Sequence, residues 1–164
     1  MKDEPWLRGP IAGVHPLVMP VFFSYAQVRE DLHKHTVGLS DEQVWQQCAG
    51  QSLGFQLKHI AGSVDRITSY LMVRPLSDEQ LAFLKQELQP PGTLPELLAL
   101  VGHSLTDSES QLKTLDAGSL YATRTVGRRA LPTTVIGLLV HLAEHTQRHL
   151  GQAILISKLV RQNG

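Results

Sequence analysis

The sequence has one cysteine, Cys48, among its 164 residues. A single cysteine cannot form an intrachain disulfide, so the fold must be held by its core, and no Cys-x-x-Cys pair is present for redox chemistry or a zinc ribbon. Cys48 lies in a Gln-Gln-Cys-Ala-Gly stretch without a basic neighbour that would activate a thiol. We therefore interpret Cys48 as a structural residue.

The sequence also lacks an excess of charge of either sign, with 15 Lys and Arg residues against 15 Asp and Glu residues. No basic run is long enough to bind a phosphate backbone, so nucleic acid is not an expected partner. No apolar run approaches the ~20 residues that span a bilayer, and the first residues do not lead into the apolar core of a signal peptide. We expect a cytoplasmic protein without a membrane segment.

The composition is that of a folded protein, with 42% hydrophobic and 18% charged residues. A chain of this length can bury roughly 68–70% of its unfolded surface, which suffices for one sizeable core. Neither a solenoid-like repeat nor a low-complexity linker is present, so we interpret residues 1–164 as a single domain. The sequence also lacks a glycine-rich phosphate loop and a nucleophile elbow, which leaves those enzyme classes without support.

Four long segments carry apolar residues at spacings of three and four, the pattern of amphipathic helices. They cover residues 17–37, 53–74, 94–116 and 134–160. Thr133 or Thr134 is the expected cap of the last segment. Because strand patterns are weak throughout, the expected fold class is all-α, with the four helices packed as an antiparallel four-helix bundle.

Short connecting helices are indicated by capping boxes, in which a Ser or Thr side chain and a Gln or Glu three residues later satisfy free backbone N–H groups. Two boxes, at residues 40–43 and 77–80, each predict a short helix. A third box, at residues 93–96, predicts the start of the third long helix. Residues 119–132 alternate only in part and are interpreted as a loop or an extended excursion.

Three histidines recur every four residues in the last segment: His141, His145 and His149. Each step of four advances about 40° around a helix and about 6 Å along it, so the three rings share one face. Two histidines spaced by four can bind one metal ion. Spacing alone does not choose between His141 and His149 as the partner of His145. It also leaves open an ordinary face whose rings are exposed or hydrogen-bonded.

A third metal ligand would have to come from another helix, because catalytic sites of this kind usually take three protein ligands. His59 is the best candidate, since it lies in the middle of the second segment on an apolar surface marked by Leu57, Ile60 and Val64. The other four histidines lie on polar or terminal stretches and are interpreted as surface residues: His15, His33, His35 and His103.

Two stretches of the chain resemble a known family. Leu57-Lys-His-Ile-Ala-Gly-Ser63 and Val140-His-Leu-Ala-Glu-His-Thr-Gln-Arg-His-Leu-Gly-Gln152 are similar to the DinB-like (damage-inducible) superfamily of metal-binding four-helix-bundle proteins. The resemblance runs from the first helical segment through Gln152. Leu150 departs from it, because many members carry Arg at this position.

The resemblance implies three metal ligands: His59, His145 and His149. It leaves His141 and Gln152 as candidates for contacts to these ligands or to a substrate. Members of the family include S-transferases and isomerases that use low-molecular-weight thiols. The function implied here is a metal-dependent enzyme of the thiol S-transferase type, in which a divalent transition metal activates a thiol cosubstrate or water. Imidazole ligands suit zinc, nickel, copper or iron, and zinc or nickel is the leading expectation. A metal-dependent hydrolase and a non-catalytic, metal-holding or structural module are the alternatives.

The sequence identifies neither a substrate nor a dedicated general base. Asp65, Tyr70 and Gln152 lie on the same two segments as the histidines and are candidates to approach the site. Glu144 precedes His145 but is directed about 100° away from the ligand face. Its spacing of four from Arg148 favours a surface ion pair.

Association into a homodimer is expected from apolar residues near the start of the chain that exceed the needs of a small core, and from the family resemblance. These residues are Trp6, Leu7, Ile11, Val14 and Leu17.

Overall fold

The structure is a computed structural model that describes residues 3–162, so the first two and last two residues of the proposed single domain lie outside the described part. Its helices are α1 (Met19–Thr36), α2 (Asp41–Trp45), α3 (Leu53–Leu71), α4 (Asp78–Gln86), α5 (Leu94–Leu112) and α6 (Val135–Gln162), and its strands are β1 (Thr123–Val126) and β2 (Leu131–Thr134). The four long helices confirm the all-α prediction. Among the described residues, no helix combines the length and apolarity needed to span a membrane.

The helix starts follow from local capping. All three predicted capping boxes are present, at the N-termini of α2, α4 and α5, with Ser40, Ser77 and Thr93 as cap residues. The cap of α6 is Thr134, whose Oγ1 accepts a 3.1 Å hydrogen bond from the backbone N–H of Gly137. Each such cap contributes about 1 kcal/mol to helix stability.

Residues 119–132 do not form a plain loop. A one-turn 3-10 helix, Ala117–Ser119, leads into them, and residues 123–134 form a short antiparallel hairpin in which Thr123 pairs with Thr134. A hairpin of this length is marginal by itself. It is fixed by contacts with the bundle: Arg124 Nε donates to the carbonyl oxygen of Leu71 at 2.7 Å, at the end of α3. The weak alternation in the sequence could not report this long-range support.

Two long helices end earlier than predicted. Helix α3 ends at Leu71, not residue 74, because Val73 adopts a positive φ of 57°. The N–H of Arg74 then turns back to the carbonyl oxygen of Ser69 at 2.8 Å. Helix α5 ends at Leu112, not residue 116, and Thr114 satisfies a last-turn carbonyl with its side chain.

The bundle core places α3 at the centre. Helix α3 packs against both α5 and α6, and α1 packs against α6. Most residues of α3 are buried, including polar ones such as Gln56, Lys58 and Arg66. A helix held by neighbours on several sides keeps its side chains in fixed positions, so a ligand on α3 is well placed to meet one on α6.

Candidate metal centre

Helices α3 and α6 bring three histidines together. One imidazole nitrogen from each of His59, His145 and His149 lies within 4.8 Å of those of the other two. The ring centroids are 5.1 Å apart for His59 and His145, 4.4 Å for His59 and His149, and 4.5 Å for His145 and His149. Within residues 3–162 this is the one group of three or more His, Cys, Asp or Glu side chains close enough to hold a metal ion.

The cluster fits a metal ion in its donor chemistry. Three imidazole nitrogens bound tetrahedrally at about 2.0–2.1 Å from one ion lie roughly 3.4 Å apart, which small side-chain rotations would reach from the observed separations. Nδ1 of His145 is buried and has no hydrogen-bond partner in the described part of the chain. A buried polar group left without a partner costs about 1–3 kcal/mol, and coordination gives an imidazole a favourable partner. The group can therefore hold a metal ion.

The electrostatics keep two of the rings uncharged at neutral pH. Burial, reinforced by the neighbouring His149 and His59, lowers the pKa of His145 to about 4. Burial and the neighbouring His59 and Arg148 likewise lower the pKa of His149 to about 4. Only a neutral imidazole has the free lone pair that a metal needs, so protons do not compete with a cation at these rings near pH 7.

The metal-free protein should lose stability when it is acidified from pH 6.5 to pH 4. In the unfolded chain both histidines bind protons near the ordinary value of 6.5, whereas the folded protein does so near 4. Between these values the unfolded state binds more protons, so the free energy of unfolding rises with pH up to about 6.5 and then levels off. Urea denaturation at several pH values would measure this.

The control for this pH dependence is the double substitution His145→Gln and His149→Gln, measured beside the wild type. Both proteins carry the same carboxylates, so the difference between their pH profiles isolates the two rings. Parallel profiles between pH 6.5 and pH 4 would contradict the expected linkage.

Two of the histidines are oriented by hydrogen bonds. His149 Nδ1–H donates to Oε1 of Gln56 at 2.8 Å, and Gln56 is fully buried and donates in turn to Gln51. His59 Nδ1–H donates to Oε2 of Glu87 at 2.7 Å. Both bonds leave Nε2 as the lone-pair nitrogen. No pattern in the sequence marks either Gln56 or Glu87 as part of the site.

Two other polar residues, His141 and Gln152, are predicted to lie near the site. The ring of His141 is 5.1 Å from that of His145, but its side chain is 46% exposed and its Nδ1 lies 2.7 Å from Oε1 of Glu144. Gln152 is partly buried, and its Oε1 has no hydrogen-bond partner in the described structure. Contacts of His141 and Gln152 with ligands or substrate stay predictions.

The remaining candidates lie away from the cluster. Asp65 lines a surface groove with residues of α5 such as Ser104, and Tyr70 lies beside the β-hairpin, so neither approaches the histidines. The predicted surface ion pair between Glu144 and Arg148 is present. Leu150 is 2% exposed and belongs to the core. Its position therefore points into the bundle and not toward the ligand face.

The four histidines predicted to lie at the surface differ in their exposure. His33 and His103 are exposed, and His15 and His35 are partly exposed. Cys48 is a free, buried cysteine. None of these five residues belongs to the metal-competent group in the described chain.

The cluster lies at the edge of the bundle rather than in its centre. The side chain of His59 is 21% exposed, and His145 and His149 are partly exposed. Phe55 stacks on the ring of His59, with centroids 5.3 Å apart and ring planes inclined by 25°. Phe55 thus covers one face of His59, while all three rings stay partly exposed to solvent.

Comparisons with known proteins agree with this architecture. Residues 24–153 match the model of the DinB superfamily. A conserved protein from Enterococcus faecalis, known from a crystal structure, has a similar fold with a TM-score of 0.70 and 18% sequence identity; the match covers 91% of this chain and 99% of that one. At this identity the likeness concerns the fold alone. A search among curated proteins finds no match.

Proposed function

The chain belongs to the DinB superfamily, and from this premise we propose that it is a metal-dependent enzyme of the thiol S-transferase type. His59, His145 and His149 are the proposed ligands of a divalent transition metal, with zinc or nickel as the leading candidates. The observation that carries the proposal is the convergence of three imidazole nitrogens within 4.8 Å of one another.

A site for catalysis differs from a structural site in its open coordination positions. Structural zinc sites are closed by four protein ligands, whereas catalytic sites usually have three. In the part of the chain that the structure describes, no fourth His, Cys, Asp or Glu side chain joins the three histidines. The partial exposure of the rings also gives a substrate access. Both features favour an enzyme over a module that only holds a metal.

The protein's own residues prepare the site for a thiol nucleophile. A bound divalent ion supplies a Lewis acid that lowers the pKa of a nearby thiol or water. His145 and His149 stay neutral near pH 7 and add no charge of their own to that of the ion. Gln56 and Glu87 accept hydrogen bonds from His149 and His59. In the transfer itself the thiol proton is released to solvent, sulfur bonds to an electrophilic carbon, and the leaving group departs with the electron pair.

The proposal predicts thiol transfer that depends on the added metal. The protein loaded with zinc or nickel should conjugate a low-molecular-weight thiol such as glutathione, or a bacterial counterpart, to an activated aryl halide, as followed by absorbance. We expect His145→Ala to reduce this rate at least 100-fold, because the ion would be lost, and the surface variant His103→Ala to leave it unchanged.

The alternative activities are outcomes of the same experiment. If the metal-loaded protein hydrolyses an activated ester without any added thiol, the hydrolase is favoured over the transferase. If the metal-loaded wild type is no faster than His145→Ala with any thiol or ester tested, catalysis is contradicted and the metal-holding module is favoured.

A homodimer is also proposed, and its contact surface is narrower than the sequence indicated. Val14 is buried in the chain's own core and Ile11 is partly buried, whereas Trp6, Leu7 and Leu17 are 61%, 56% and 48% exposed. Val140 of α6 is also exposed, and with Leu17 it lines an apolar groove between α1 and α6. We define this groove and the adjoining Trp6 and Leu7 as the α1/α6 surface.

Sedimentation at micromolar concentration should show a dimer that Val140→Glu converts to a monomer, because a buried carboxylate in the contact would be unpaired. Leu155→Glu is the matched control, since Leu155 is an equally exposed residue at the other end of α6. A wild-type monomer, or a dimer unaffected by Val140→Glu, would contradict association through the α1/α6 surface.

A further inference from the structure

A buried carboxylate contacts the histidine cluster through His59. Glu87 follows the end of α4, and its side chain is 3% exposed. One of its oxygens is 2.7 Å from Nδ1 of His59, and the other is 2.7 Å from Nη1 of Arg66. A single carboxylate therefore links a proposed metal ligand to a buried guanidinium.

The chain segment that carries Glu87 is tied to the rest of the protein at several points. Nζ of Lys58 donates to the carbonyl oxygen of Gln89 at 2.5 Å, and Nε1 of Trp45 donates to that of Gly92 at 2.8 Å. These bonds hold residues 86–92, which we call the Glu87 segment, against α2 and α3. The carboxylate is thus delivered to His59 by a fixed piece of backbone.

The facing surface of α3 is shaped to admit this carboxylate. Gly62 lies one turn beyond His59, and a Cβ atom at Gly62 would lie 2.5 Å from Oε1 of Glu87 and 2.7 Å from Nη1 of Arg66. Any larger residue would displace the pair. The glycine therefore creates the space in which Glu87 reaches both partners.

We propose that Glu87 is a positioning residue for the metal centre, acting through His59. An ionised carboxylate only accepts hydrogen bonds, so Nδ1 of His59 must carry the proton and Nε2 must present its lone pair to an ion. The bond to Arg66 occupies the second oxygen and prevents the carboxylate from rotating away. The inference rests on the proposed metal-binding role of His59.

The three proposed ligands differ in the hydrogen-bond partner of Nδ1. His59 has a carboxylate partner, His149 has the neutral amide of Gln56, and His145 Nδ1 has no partner in the described residues. A carboxylate partner raises the basicity of an imidazole more than an amide does, and loss of such partners typically weakens metal affinity 10- to 100-fold. Glu87 should therefore be the partner whose loss has the larger effect.

The first test concerns the tautomer of His59 and needs no metal. Nitrogen-15 NMR of the metal-free wild type at pH 7.5 should show the proton of His59 on Nδ1. In Glu87→Ala the population should shift toward the Nε2–H form that free imidazole side chains prefer. A role of Glu87 in stability alone would not move this signal.

The second test is metal affinity. Zinc titration against a chelator should show a dissociation constant 10- to 100-fold larger for Glu87→Gln than for the wild type. This substitution keeps the shape of the side chain and removes its charge. Glu109→Gln is the matched control, because Glu109 pairs with Arg29 at 2.7 Å without contacting a histidine. Its affinity should equal that of the wild type.

The outcomes separate this inference from the proposed function. If the His59 tautomer is unchanged in Glu87→Ala, or if Glu87→Gln binds zinc within twofold of Glu109→Gln, the role of Glu87 is overturned. If the wild type binds neither zinc nor nickel while the tautomer still shifts, the metal-dependent function fails. In that case the orienting effect of Glu87 on His59 stands.

Discussion

Replacing His145 with Ala should lower the affinity for zinc or nickel by at least 1000-fold. The ring centroid of His145 is 5.1 Å from that of His59 and 4.5 Å from that of His149, and without His145 the remaining pair supplies too few donors for a stable catalytic-type site. Metal content after dialysis, measured by mass spectrometry, would report the loss. The substitution also removes a buried ring nitrogen that has no hydrogen-bond partner in the described residues, so the metal-free variant should remain folded.

His141→Ala is the matched control, since it removes a histidine one turn away on the same helix face. Its exposed ring is hydrogen-bonded to Glu144 rather than directed at the cluster, so metal content should be nearly unchanged. If His141→Ala loses the metal and His149→Ala keeps it, the assignment of His149 as a ligand is wrong.

Gly62→Ala should destabilise the protein by about 1–3 kcal/mol, the usual cost of forcing extra volume into a packed interior. The added Cβ would meet Glu87, Arg66 and the ring of Phe83, at 2.5–2.8 Å. The first two side chains are mutually paired and buried, so neither can move without breaking that pair. Urea denaturation of the metal-free protein measures the change in unfolding free energy.

Gly102→Ala provides the opposite control. Gly102 lies inside α5, and a Cβ atom there would meet nothing within 4 Å. Removing glycine from an unobstructed helical position should stabilise the protein by about 0.5–1 kcal/mol. Equal effects of the two substitutions would show that the space at Gly62 is not restricted.

The bundle could be predicted because its helices are specified by residues close together in the sequence. Helical periodicity located the four long helices, and the capping residues Ser40, Ser77 and Thr93 marked three of the starts. The ends of α3 and α5 were less well predicted, since they depend on a single left-handed residue or a side-chain hydrogen bond. Residues 119–132 were predicted only as a loop or an extended excursion, and the sequence did not indicate the hairpin itself because contacts with distant parts of the bundle hold it.

The candidate site was predictable only in part. The four-residue spacing placed His141, His145 and His149 on one face, but the choice of His145 and His149 came from the family resemblance. The structure brings these two to His59. Glu87 is 28 residues from His59, with no shared pattern to connect them, so only the folded backbone could reveal the contact.

The positions of the three histidines along the chain have a topological consequence. His59 and His145 are 86 residues apart (145 − 59), so one bound ion would tie together two distant points of a chain that has a single cysteine. In polymer terms, closing a loop of that length in the unfolded chain lowers its entropy by the equivalent of roughly 4–5 kcal/mol if the cross-link persists. An ion that stays bound during unfolding would thus act as a reversible cross-link. Chelation would open this loop without any reductant.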